Sequence, residues 1–204
     1  MIALVMLLVI TLIAVGTMRS TTLEMRLTGY RAENARLQNM VDAALREGEF
    51  RFYGPGHLDS KLNPKPSENC DPDINKLNVF GNNKPCLLEE MSNADFEDFY
   101  AKPVETADRL NLDWMEYRGL DARNQFSRAK IGDGEDAKSI EKPASFNAYR
   151  IQEGAAENAA VNPEYGAALR GSGTYYYVIT AKAGDEGEEI AAQSTIATIY
   201  LGLD

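Results

Sequence analysis

The first eighteen residues, Met1 to Met18, read MIALVMLLVITLIAVGTM and carry no charge before Arg19. As an α-helix this run is about 27 Å long, close to the roughly 30 Å hydrocarbon core of a bilayer. Backbone amides in lipid find no water, so helix is the form a single span takes. A secretory signal would show a basic stretch first, a shorter apolar core and a small-residue exit site. A buried core helix is seldom apolar on every face. A retained membrane anchor fits the run best.

Beyond Arg19 the helical pattern continues. From Ser20 to Phe52 there is no proline, and only Gly29 and Gly48 interrupt good helix formers. Leu23, Leu27, Tyr30, Leu37, Val41, Ala44, Leu45, Gly48 and Phe52 recur at a three-to-four spacing. Arg26, Arg31, Glu33, Arg36, Asp42, Arg46 and Glu47 are expected on the remaining faces. The pattern predicts one helix from near residue 2 to near residue 52, roughly 75 Å long, ended by Gly54-Pro55-Gly56. No compact domain of this size needs such a helix, so part of it must pack against other molecules. Three regions result: an apolar half over 1–18, an amphipathic spine over 19–53 with Leu37, Val41, Ala44 and Leu45 seating the head, and a head over 54–204.

Charge and cysteine usage narrow the function. The 204-residue chain has a net charge of −10, which argues against nucleic acid as a partner. One histidine, His57, and two cysteines exclude zinc motifs built on several such ligands. Cys70 and Cys86 bracket a Pro-, Asn-, Asp- and Lys-rich stretch over 54–90 that is expected to be irregular surface structure. Two readings of the pair stand: a loop-closing disulfide formed in an oxidising compartment, worth about 3 kcal/mol of chain entropy, or two buried thiols.

Further along, Ser92 to Lys102 predicts a short capped helix stopped by Pro103. Val104 to Tyr117 is ambiguous, with Leu110, Leu112 and Trp114 alternating and Val104, Ala107 and Leu110 at helical spacing. A surface loop is expected over 121–144 and a long connection over 154–173. Tyr175 to Ala181 and Ile190 to Leu201 alternate as strands, joined at Gly184-Asp185-Glu186-Gly187 as a hairpin. The fold class is α+β: a long N-terminal helix packed on a mostly antiparallel sheet.

Candidate chemistry is thin. Asp71-Pro72-Asp73-Ile74-Asn75 begins like a calcium loop, but the sixth position is Lys76 rather than Gly and the twelfth Asn82 rather than Glu. The acidic turns GDGED and GDEGEE read as solvated. His57 reads as a surface or cap residue. The Tyr175–Tyr177 stripe suits packing more than a ligand face. No G-x-S-x-G, Walker A or G-x-G-x-x-G motif is present. No cofactor is expected, and enzyme is the least supported class.

The stretch LVMLLVITLIAVGTMRSTTLEMRLTGYRAENARLQNMVDAALREGE resembles the N-terminal region of PilX-type minor pilins, with their apolar run, TTxLE-like segment and AxxALREGE-like helix end. SFNAYRIQE, TYYYVITAKAG and IAAQSTIATIY resemble that family's late strands. The resemblance covers 1–53 and about 145–201 and implies a pilin-like fold. Pilins of this kind carry a basic leader ending in Gly, cut by a membrane peptidase; the sequence begins inside the apolar run. It lacks the early glutamate of major pilins, as PilX-type minor pilins do. The resemblance implies a non-enzymatic subunit that helps prime and assemble type IV pili near the tip. Implied partners are other minor pilins, the major pilin, a large tip-associated protein and, before assembly, inner-membrane lipid. Ile2, Leu4, Leu7, Leu8, Leu12, Val15 and Gly16 would make the membrane and filament packing surface, with Ala3, Ala14 and Gly16 allowing close approach.

Orientation is contested by two arguments. Arg19, Arg26, Arg31 and Arg36 against Glu24 and Glu33 leave the chain up to Leu37 at about +2. Read alone, that flank belongs in the cytoplasm. The resemblance places it, and the head, in the periplasm. Two further readings share the architecture or the tether: a minor pseudopilin of a type II secretion system, and a membrane-tethered adhesin or calcium-binding module. A tethered hydrolase would require a deep pocket of converging ionisable groups.

Overall fold

A computed structural model describes the backbone of residues 2–53, 56–77, 83–117, 130–131, 138–139, 143–151 and 172–201; within these, the side chains of 2, 4, 12–20, 58, 130–131, 138–139, 172–173 and 199–201 lie outside the description. The chain divides into two units, Met1–Leu37 and Gln38–Asp204. Helix α1 spans Ile2–Phe50, close to the range its spacing predicts.

The second unit is built on a four-stranded antiparallel sheet of order β1-β4-β5-β6, from Met115–Glu116, Ala144–Arg150, Ser172–Ala183 and Ile190–Leu201. Register follows from β4 opposite β5 (Ala148 facing Ile179) and β5 opposite β6 (Tyr177 facing Ile196). The β5–β6 hairpin turns through Gly184 and Gly187, both at positive φ, where an L side chain would be strained. At the other edge, β1 covers one end of β4, and Cys86–Leu88 runs beside the rest: Ala148 N–H donates to Cys86 O and Leu88 N–H to Ala148 O, both at 2.8 Å.

Both faces of β4 are buried, which is why ASFNAYR shows no simple apolar–polar alternation. One face turns Phe146, Ala148, Tyr177 and Ile179 toward the end of α1. There Phe52, Leu87, Ala148, Tyr177 and Ile179 form a core, with Leu45, Tyr175 and Ile196 against it. The opposite face carries Tyr149, which joins Leu88, Phe99 and Ala107, flanked by Met91, Phe96, Leu112 and Trp114. That second layer comes from α4, Asn93–Ala101, and α5, Pro103–Leu110. The sheet is therefore covered on both sides, an addition to the single helix-on-sheet layer expected.

Local chemistry explains the pair. The Ser92 hydroxyl accepts from Asp95 N–H as the N-cap of α4, Pro103 takes the first turn of α5, and Asn111 closes it in the left-handed region. Arg109 reaches back to Asp95 and Asp98 at 3.1 and 3.0 Å. The ambiguity over 104–117 resolves as helix first, then the short β1.

Two expectations change. The 54–90 stretch is not merely irregular surface: it holds helices α2, Leu58–Leu62, and α3, Pro66–Asn69, and buries Lys61, Asn69, Asn75, Asn83 and Leu87. Within the loop expected over 121–144, β2 (Lys130–Ile131) and β3 (Lys138–Ser139) form an antiparallel pair. The GDGED turn and the connection expected over 154–173 lie outside the described residues, save the start of β5.

Candidate functional site

Two features of this chain carry its unusual side-chain placements: the exposed apolar start of α1, and the loop that packs against its end.

In the first unit, Ala3 and residues 5–11 are all exposed, and Leu7 and Leu8 keep about 64% and 59% of their surface free. The side chains of Ile2, Leu4, Leu12, Ala14, Val15 and Gly16 lie outside the described residues. Thr11 and Thr28 return their hydroxyls to the carbonyls of Leu8 and Glu24, at 2.9 and 2.8 Å, so neither presents an unsatisfied donor to an apolar neighbour. Leu23, Met25, Leu27 and Tyr30 are likewise exposed. Among the described residues no helix is long and apolar enough to cross a membrane; the uncharged run continues through residues 12–18, whose side chains are outside that description. Exposed apolar side chains in such number need a partner medium, whether lipid or protein.

Leu37, Val41 and Ala44 are buried and Leu45 is half-buried against the sheet core. Gly48 marks the closest approach: a Cβ there would stand 2.7 Å from Ile179 Cγ2 and 3.2 Å from the Phe146 ring. Ser194 Oγ on β6 donates to Glu49 Oε1 at 2.8 Å, tying the same turn to the far strand.

One turn on, expectation fails. Glu47 is not on a solvent face. It is buried with Arg51, whose Nε and second terminal nitrogen both donate to Glu47 Oε1, at 3.1 and 2.7 Å. The other terminal nitrogen donates to the carbonyls of Asn75 and Lys84, at 3.2 and 3.3 Å. The guanidinium lies 5.6 Å above the Phe146 ring. Burial pushes the Glu47 carboxyl up and the Arg51 guanidinium down, each against the pull of its partner. Asn75 ties the two arms of the loop together, its amide donating to Asn69 O at 2.6 Å and Lys84 O at 2.9 Å. Cys70 and Cys86 close this loop with a disulfide, their Cα atoms 4.5 Å apart. Spacing carries a signal for the ion pair, since Glu47 and Arg51 stand four apart on a helix. Its burial rests on Asn75 and Lys84, too distant in sequence for spacing to reveal.

Lys61 is a second surprise. It is fully buried, its Nζ donates to Phe52 O at 3.2 Å, and its carbonyl accepts from Tyr177 Oη at 2.9 Å. Desolvation lowers its ammonium to about 8.

The calcium candidates Asp71, Asp73 and Asn75 lie on the Cys70 side of the loop. Asp71 Oδ1 accepts from Asp73 N–H, closing its own turn, and the Asn75 amide group is donated within the loop. Among the described residues no three His, Cys, Asp or Glu side chains are grouped to hold a metal. His57 is exposed at the N-cap position of α2, with φ 54°. Tyr177 is fully buried and packs on Phe52 with ring centroids 4.4 Å apart, whereas Tyr176 is exposed on the opposite face.

An N-terminal helix with an exposed apolar start, and an α+β head built on its end, are consistent with a pilin-like fold. Residues 1–46 match the family model described as PilX N-terminal. The match spans under a quarter of the chain and likens its N-terminal segment to that of PilX-type pilins. No curated protein and no solved structure matches the chain.

Proposed function

We propose that this chain is a non-catalytic minor pilin that takes part in priming and assembling type IV pili, in a tip-associated complex with other minor pilins, the major pilin and a tip protein. The observation that carries this reading is the coincidence of the PilX N-terminal match over 1–46 with a helix whose described apolar side chains are exposed at its start. Association, not turnover, is the mechanism. Before assembly, Ile2, Leu4, Leu7, Leu8, Leu12, Val15 and Gly16 face inner-membrane lipid, and the helix satisfies its own backbone. On assembly the same surface exchanges lipid for neighbouring subunits' helices, with Ala3, Ala14 and Gly16 permitting close contact. Leu37, Val41, Ala44 and Leu45 seat the head, which stands in the periplasm. The Cys70–Cys86 disulfide supports that compartment, since such bonds persist where thiols are oxidised.

Deleting the encoding gene and counting surface pili by electron microscopy tests the reading. Loss of most pili, restored by the intact gene, is the expected result, together with photo-crosslinks from residue 8 or 27 to other pilins. Normal pili with lost protein secretion would instead make the chain a type II secretion pseudopilin.

A further inference from the structure

The disulfide-closed loop has two unequal arms. The Cys86 arm is anchored to the sheet, because Ala148 N–H donates to Cys86 O and the chain continues along β4 as Leu87 and Leu88. The Cys70 arm leaves α3 and carries Asn75, whose carbonyl is one of the two that receive the Arg51 guanidinium. Lys84 O, on the anchored arm, is the other. Arg51 and the Asn75 amide each bridge the arms, and the Cys70–Cys86 bond cross-links them at their base. Arg51 belongs to the end of α1 through Glu47, and rests on Phe146 of β4. A buried guanidinium that loses an acceptor is destabilised, so loosening the Cys70 arm, which carries the Asn75 carbonyl, weakens the hold on Arg51.

From this we infer that the Cys70–Cys86 bond is a redox clasp: its oxidative formation by exchange with a disulfide-bearing oxidant, which takes up the two electrons and two protons as a dithiol, completes the carbonyl cage around Arg51 and thereby fixes the last turn of α1 on the sheet, while reduction frees the Cys70 arm and loosens that turn. Reduction by a small dithiol delivers two electrons and two protons; the S–S bond breaks to give two thiols, and the dithiol becomes a cyclic disulfide. The head of the reduced chain retains β5–β6 but holds the last turn of its helix weakly.

The full chain in detergent micelles is compared before and after dithiothreitol by backbone hydrogen exchange. Protection of the amides of residues 47–51 is expected to fall at least tenfold on reduction, with β5 and β6 unchanged. Loss confined to residues 70–86, or spread evenly through β5 and β6, overturns the proposal. A second measurement uses Cys70→Ser with Cys86→Ser in two backgrounds: the native one, and Glu47→Leu with Arg51→Met, which removes the pair without leaving a lone charge. The melting temperature is expected to drop by about 15 °C in the first and by about half as much in the second. Equal drops in both overturn the coupling. Should the neutral background fail to fold, the exchange result decides.

Discussion

Gly48 is where the spine comes closest to the sheet, and the absence of a side chain there is a packing requirement. An added methyl would meet Ile179 Cγ2 at 2.7 Å, within a fully buried residue that has little room to give. Gly48→Ala gains about 1 kcal/mol of helix propensity but incurs about 1–3 kcal/mol of overpacking. The expected net loss is about 1 kcal/mol, read as a melting temperature lower by about 2–4 °C. Lys61 offers a test by pH. Burial holds its ammonium at about 8 in the folded head, against an ordinary value of 10.5. Between those values the unfolded chain keeps a proton that the native chain has released. Stability therefore rises with pH across about 8 to 10.5, by up to about 3 kcal/mol, and is flat in this contribution below 8. Lys61→Met, measured by denaturant unfolding at pH 7.5 and 10, should abolish that rise.

At the scale of elements, what was legible followed local rules. The three-to-four spacing of Val41, Ala44, Leu45, Gly48 and Phe52 is a property of one helix, and so is Ser92 followed by Asp95 with Pro103 beyond. The β5–β6 hairpin announced itself through alternation and paired glycines. Residues 58–77 and 83–88 did not, because their order comes from partners far away: Arg51 for the Asn75 and Lys84 carbonyls, Tyr177 for Lys61, Ala148 for Cys86 and Leu88. Polar composition looks like surface whenever its hydrogen bonds are invisible in sequence. The second helical layer escaped for the same reason, since nothing local says that Tyr149 stacks on Phe96 at 4.9 Å. Val41→Asp tests the spine's placement. Val41 is almost fully buried, so an unpaired carboxylate there should cost about 3 kcal/mol or more, visible as a melting temperature lower by about 6–12 °C for the full chain in detergent. An unchanged transition would remove Val41 from the head-seating face.

For the whole molecule, the groups that order the head and the exposed apolar side chains lie in different parts of the chain. The groups that order the head lie after Gln38: the disulfide, the Glu47–Arg51 pair, and the two cores flanking the sheet. The segment before it contributes exposed apolar side chains and most of the PilX-type signature. A substitution early in α1 should therefore separate folding from assembly. Leu8 is exposed and near the middle of the uncharged run. Leu8→Lys places a charge where lipid or packed helices would be, a cost of at least ~2.5 kcal/mol at a bilayer centre. The same change leaves Gly48, Arg51 and the sheet untouched. Cells carrying only this variant should make few or no pili, while the purified protein in detergent keeps its disulfide and melts within about 1 °C of the unaltered chain. Normal piliation would show that α1 does not bundle through this surface. A large fall in melting temperature would show instead that the start of the helix supports the head.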